Sequence, residues 1–173
     1  MPRAVILLCL AGFSFSLFSQ TTPETAQKQP ERVTPSQIMR LAHNAARLVD
    51  EKGLDAALPI LSDPNGPYMK GDTYVFVYTF DGSLIMNPRH KSDEGRRLIN
   101  SKDEKGNPFI AYFVEIAKGP DHEGWSDEYW IPKPGGTKPF LKVSYIVGIP
   151  RMRIFVGAGI YGMTKLEAQN SID

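Results

Sequence analysis

One lysine stands inside an apolar run. Lys142 lies in Phe140-Leu141-Lys142-Val143-Ser144-Tyr145-Ile146-Val147, and on a strand its same-face neighbours are Phe140, Ser144 and Ile146. An ammonium buried there needs a counter-charge, because desolvating an unpaired charge costs several kcal/mol. A ligand carboxylate would serve. The alternative is an edge-strand lysine whose stem lies on the sheet while its head stays in water. Aromatic residues supply the second signal. In Tyr74-Val75-Phe76-Val77-Tyr78, the three rings share one strand face and the valines the other. Rings with a few placed hydroxyls are what small-molecule sites use, although they also fill ordinary cores. Trp125, Tyr129 and Trp130 fall within six residues. On a regular strand Trp125 and Tyr129 share a face and Trp130 takes the other. Tyr145, on the strand that carries Lys142, completes the candidate ligand contacts.

Chemistry beyond binding is poorly served. His43, His90 and His122 are isolated, and His122-Glu123 has no second histidine at the spacing a zinc protease needs. There is no Gly-x-Ser-x-Gly elbow. The one cysteine, Cys9, excludes a disulfide framework and a cysteine-rich metal site. No carboxylate pair stands out as acid and base. The residues therefore predict no catalytic group, no metal and no cofactor. A net charge of +1 excludes the basic excess of a nucleic-acid binder. Gly157-Ala158-Gly159 opens no helix and is no phosphate loop; it would let a backbone approach a ligand or a helix pack close.

These side chains need a scaffold, and 173 residues provide one domain with a short tail. Met1-Pro2-Arg3 followed by apolar 4–18 predicts a secretory signal cleaved after Ser19, with an uncleaved anchor as the alternative. The apolar run is short for a membrane span, and no second one follows, so no span is expected after cleavage. Cleavage would remove Cys9 and leave a thiol-free chain suited to an oxidising compartment. Residues 20–33, rich in Thr, Gln, Pro and Glu, read as a flexible tether. The domain is expected over 34–161 and a tail or short helix over 162–173.

Thr34-Pro35-Ser36-Gln37 spells a capping box with proline at the first helical position, and Ile38, Leu41, Ala42, Ala45, Leu48 and Val49 follow at helical spacing. A short helix is expected over 54–61. From Thr73 the period becomes that of strands. Strands are predicted over 73–79 and 83–87 about the Asp81-Gly82 turn, a helix over 109–117, and strands over 125–131, 138–149 and 153–161. Hairpin order makes the sheet antiparallel, giving an α+β domain with helices on a five-stranded sheet.

In this order the chain resembles a known family. Gly71-Asp72-Thr73-Tyr74-Val75-Phe76-Val77-Tyr78 with Asp81-Gly82, Asp103 with Gly106, and Gly124-Trp125 are similar to the single Cache domain, type 2. So are Tyr129-Trp130 with Pro132 and Pro134, Lys142 with Ser144-Tyr145, and 156–161. The resemblance covers roughly 35–161. It implies a long N-terminal helix on a PAS-like sheet, a periplasmic or secreted location, and a sensor for a small organic anion such as a short-chain acid. A flexible tether over 20–33 transmits no torque, so any signal is expected to pass by surface contact with a separate envelope signalling protein. Resembling domains commonly carry His-Pro where this chain has Asn87-Pro88, so no histidine contact is expected here. A structural or interaction domain of the same fold, its pocket lost, is the competing expectation.

Overall fold

The computed structural model describes Met1 and residues 33–171. The expected signal peptide and tether, Cys9 included, lie outside the described residues apart from Met1 and Val33. Helix α1 (Pro35–Lys52) starts on the expected capping box: Gln37 N–H donates to Thr34 Oγ1 and Thr34 N–H to Gln37 Oε1. Gly53, with φ of 80°, ends it and opens α2 (Leu54–Leu61). Strand β1 (Met69–Lys70), which the sequence reading passed over, leads into β2 (Thr73–Thr79) and β3 (Leu84–Met86). The β2–β3 turn needs Gly82, because its φ is 82° and a Cβ there would press on Ile99. A loop of mostly exposed residues runs from Asn87 to Pro108 before α3 (Phe109–Lys118).

Strands β4 (Glu123–Trp125), β5 (Tyr129–Pro132), β6 (Pro139–Ile149) and β7 (Ile154–Tyr161) follow, then α4 (Lys165–Asn170). All pairings are antiparallel, in the order β1-β2-β7-β6-β4, with β3 also on β2 and β5 also on β6. The sheet thus has seven strands, not five. β1 is additional, and the single strand expected over 125–131 is two.

The break is local chemistry at Ser126. Its N–H bonds Ser144 O, its Oγ accepts from Ser144 N–H at 3.0 Å and donates to Asp127 O. Register steps from Trp125↔Tyr145 to Tyr129↔Lys142, so four residues on one side answer three on the other. That one extra residue turns Trp125 and Tyr129 to opposite faces.

Each face has its own core. Val75, Val77, Val143, Tyr145, Val147, Val156 and Ala158 meet α1 and α2, and Ala168 of α4 is buried in the same cluster. The C-terminal segment is therefore a packed helix as far as Asn170. Tyr74, Phe76, Tyr78, Tyr129, Ile146 and Phe155 meet α3 through Ile110, Phe113, Val114 and Ala117.

Candidate functional site

On the α3 face the sheet does not close. A cavity of about 310 Å³ lies between β2, β5, β6, the start of α3 and the loop from Asn87 to Glu104. Lys142 lines it and is 1% exposed. Its Nζ donates to Tyr74 OH at 3.3 Å and sits 4.3 Å from the Tyr74 ring centre and 4.6 Å from that of Tyr161. The ammonium is thus cradled by two π-faces, each worth up to about 2 kcal/mol when desolvated. No carboxylate among the described residues forms an ion pair with it.

Strand β7 makes room for this lysine. Ala158 faces α1, while Gly157 and Gly159 face the cavity side. A Cβ on Gly159 would collide with Lys142 Cε and press on Ser144 Oγ, and one on Gly157 would collide with the Phe76 ring. The two glycines clear space for a ligand-facing lysine and an aromatic wall, where the sequence had suggested helix packing or approach of backbone to ligand.

The cavity is rich in donors. Tyr129 OH and Ser144 Oγ lie 2.6 Å apart, both buried. Burial pushes the Tyr129 phenol well above its ordinary range, despite the Ser144 hydrogen bond that works the other way. Burial does the same to Tyr78, reinforced by Tyr74 and Asp93. Both phenols therefore keep their protons at neutral pH. The Tyr78 hydroxyl has no hydrogen-bond partner among the described residues, which leaves its proton to a ligand. Asn87 is buried, lines the cavity, and accepts Arg89 N–H on Oδ1 at 3.0 Å. Its amide N–H₂ has no partner among the described residues and is one more neutral donor. Among the described residues no three His, Cys, Asp or Glu side chains come together as a metal site.

Asp103 holds the rim. Burial opposes its ionisation, but hydrogen bonds from the Asn107 side chain and from the backbone N–H of Asn107, Trp130 and Lys105 outweigh it and hold the carboxyl below its usual range. Lys105 Nζ then lies 3.4 Å above the Trp130 ring. The charge of Arg96, also on the rim, is taken up by Asp93.

Six of the eight candidate contacts thus border one cavity: Tyr74, Phe76, Tyr78, Tyr129, Trp130 and Lys142. Trp125 and Tyr145 do not join them. They lie in the α1-side core, 5.3 Å apart edge to face, with Tyr145 OH donating to Glu123, which also meets His43 Nε2 at 2.8 Å. The extra residue at Ser126 is the cause for Trp125, and odd spacing from Lys142 for Tyr145. Sequence reading missed Asn87, Leu84, Leu98, Phe109 and Phe113 as cavity walls. The i, i+4 pair Phe109 and Phe113 was visible as one helical face; the loop residues carried no periodic signal.

A model of the Cache domain matches residues 31–170. The chain belongs to the Cache domain family. Cache domains as a family are extracytoplasmic sensor modules. It is 31% identical over 90 residues to the sensor histidine kinase MctS of Rhizobium johnstonii, a match that spans 52% of this chain and 19% of that protein. The chain therefore answers to about a fifth of that relative's length. Two solved structures share the fold. One, described as the structural basis for carboxylic acid recognition by a Cache chemosensory domain, superposes with a TM-score of 0.65 at 21% identity, covering 73% of this chain and 92% of its own. The other, a periplasmic sensor domain of a chemotaxis protein, gives 0.59 at 22% identity, covering 75% and 90%. Among the described residues no helix is long and apolar enough to cross a membrane.

Proposed function

We propose that this Cache domain binds a small organic carboxylate in the α3-side cavity and reports its occupancy to an envelope signalling protein. The observation that carries the reading is Lys142: a buried cation at a cavity wall with no carboxylate of its own among the described residues. Tyr74, Tyr78 and Asn87 add neutral donors, so the buried part of the lining offers protons and positive charge, while the carboxylates Asp93, Asp103 and Glu104 belong to the loop at the rim. An anion matches that inventory. The cavity favours a binding module over a domain that kept the fold and closed its pocket. Kinship to a sensor kinase, and likeness in fold to a chemotaxis sensor domain, support the signalling half of the reading.

The test is thermal stability across short mono- and dicarboxylates, with Lys142→Met as the comparison. A ligand at a hundred times its dissociation constant adds about 2.7 kcal/mol, easily seen in a melt. The wild type should gain stability with at least one acid. Lys142→Met should lose about tenfold or more in affinity while staying folded, because methionine keeps most of the stem's apolar volume. Equal affinity in the two proteins would remove Lys142 from the site.

A further inference from the structure

The cavity is too large, and walled too much by rings, for the smallest acids. At about 310 Å³ it holds about ten non-hydrogen atoms at liquid-water density, taking about 30 Å³ for each. A C2 acid fills less than half of that, and a C4 acid little more than half. The buried positive charge is confined to one wall, where Lys142 stands between Tyr74 and Tyr161, while His90, Arg96 and Lys102 border the cavity only as exposed residues. Away from it the apolar part of the wall is Phe76, Phe109, Phe113, Leu84, Leu98 and Ile131. Phe76 and Phe113 are stacked at 5.6 Å, and Phe109 and Tyr129 at 4.9 Å, so these rings brace one another and cannot fold inward to fill the space. The rim cation Arg96 is held by Asp93, and the rim carboxylate Asp103 is saturated by hydrogen bonds. A second carboxylate would find only the exposed Lys102 at the rim, where an ion pair in water contributes little.

We infer that the ligand is a monocarboxylate with a sizeable apolar tail, an aryl or branched acid of roughly six to eight carbons by that volume. The inference rests on the carboxylate reading of Lys142 and adds what lies behind the carboxylate. Water left around a short ligand against apolar walls gains nothing, whereas each methylene that replaces it contributes the full transfer term.

The experiment is calorimetric titration of the chain with sodium acetate, butyrate, hexanoate and phenylacetate, for the wild type, Lys142→Met and Leu98→Phe. Leu98 is a half-buried loop residue, so a larger ring there narrows the cavity from the loop side. Wild-type affinity should rise by up to about fourfold per added methylene as far as hexanoate, with phenylacetate at least as tight. Leu98→Phe should weaken hexanoate and phenylacetate several-fold more than it weakens acetate. Affinity that peaks at acetate and falls beyond butyrate overturns the tail, while the carboxylate reading survives if Lys142→Met still loses binding. Binding that is the same in Lys142→Met, or absent for every acid, overturns both.

Discussion

The stem of Lys142 passes directly over Gly159, so closely that a Cβ at position 159 would collide with Lys142 Cε and press on Ser144 Oγ. The ammonium reaches the Tyr74 hydroxyl because the neighbouring strand carries no side chain beneath it. Gly159→Ala should therefore move the charge without deleting it. We expect a stability loss of about 1–3 kcal/mol, typical of overpacking, together with a carboxylate affinity lowered about tenfold or more. Melting and titration of the one variant measure both. Affinity retained at wild-type strength would show that the lysine's position is not set by this glycine.

Removing the charge should have the opposite effect on the empty fold. In the ligand-free protein Lys142 is desolvated and, among the described residues, balanced by two rings and a hydroxyl. Lys142→Met gives up that cradle and also the desolvation cost, which is the larger of the two. The unliganded variant should melt higher than wild type, by about 2–4 °C for each kcal/mol gained. A lower melting temperature would mean that the rings and the Tyr74 bond outweigh the cost of burial.

Acid should loosen the rim before it unfolds the domain. The Asp103 carboxyl is held below its usual value in the folded protein, so its contribution is complete above the ordinary carboxylate pKa of about 4 and is lost as pH falls through the lower folded value. Its hydrogen bonds reach Trp130 N–H, and Lys105 covers the Trp130 ring. In a Trp125→Phe background Trp130 is the sole indole, since the chain has 2 tryptophans. Its fluorescence should shift below about pH 4, and Asp103→Asn should show the shifted signal already at pH 7. An indole signal that is flat down to global acid unfolding would detach Asp103 from the rim's rigidity.

At the start of α1, Thr34→Ala removes the hydroxyl that accepts Gln37 N–H. The loss should be about 1 kcal/mol, or a few degrees in the melt. Carboxylate affinity should not change, because α1 packs on the sheet face away from the cavity. Affinity that fell in step with the melting temperature would couple the helix start to the ligand.

What could be read from the sequence followed periodicity. The α1 stripe, the β2 alternation and the turn chemistry at Asp81-Gly82 are local signals, and each returned the element expected. Lys142 was visible for the same reason, as a charge in an apolar strand. The division of 125–131 into two strands was not visible, because it depends on Ser126 trading hydrogen bonds with Ser144, 18 residues away. A bulge reverses the face of every residue beyond it, so the parity argument that joined Trp125 to Tyr129 failed at one point and nowhere else. The roles of Gly157 and Gly159 were hidden likewise: they depend on side chains from β2 and β6 lying across β7. Asn87 and Leu98 sit in a loop, where no repeat marks a residue as facing inward.

Along β6, Lys142 and Ser144 belong to the cavity, and Val143 and Tyr145 to the surface under α1. The layer that parts the two compartments is a single strand's width. A pull on Lys142 that reached its backbone would reach Val143 too, since the two share a peptide bond. In such a design nothing would need to travel along the length of the molecule: the sheet would be a diaphragm, pressed on one side and read on the other.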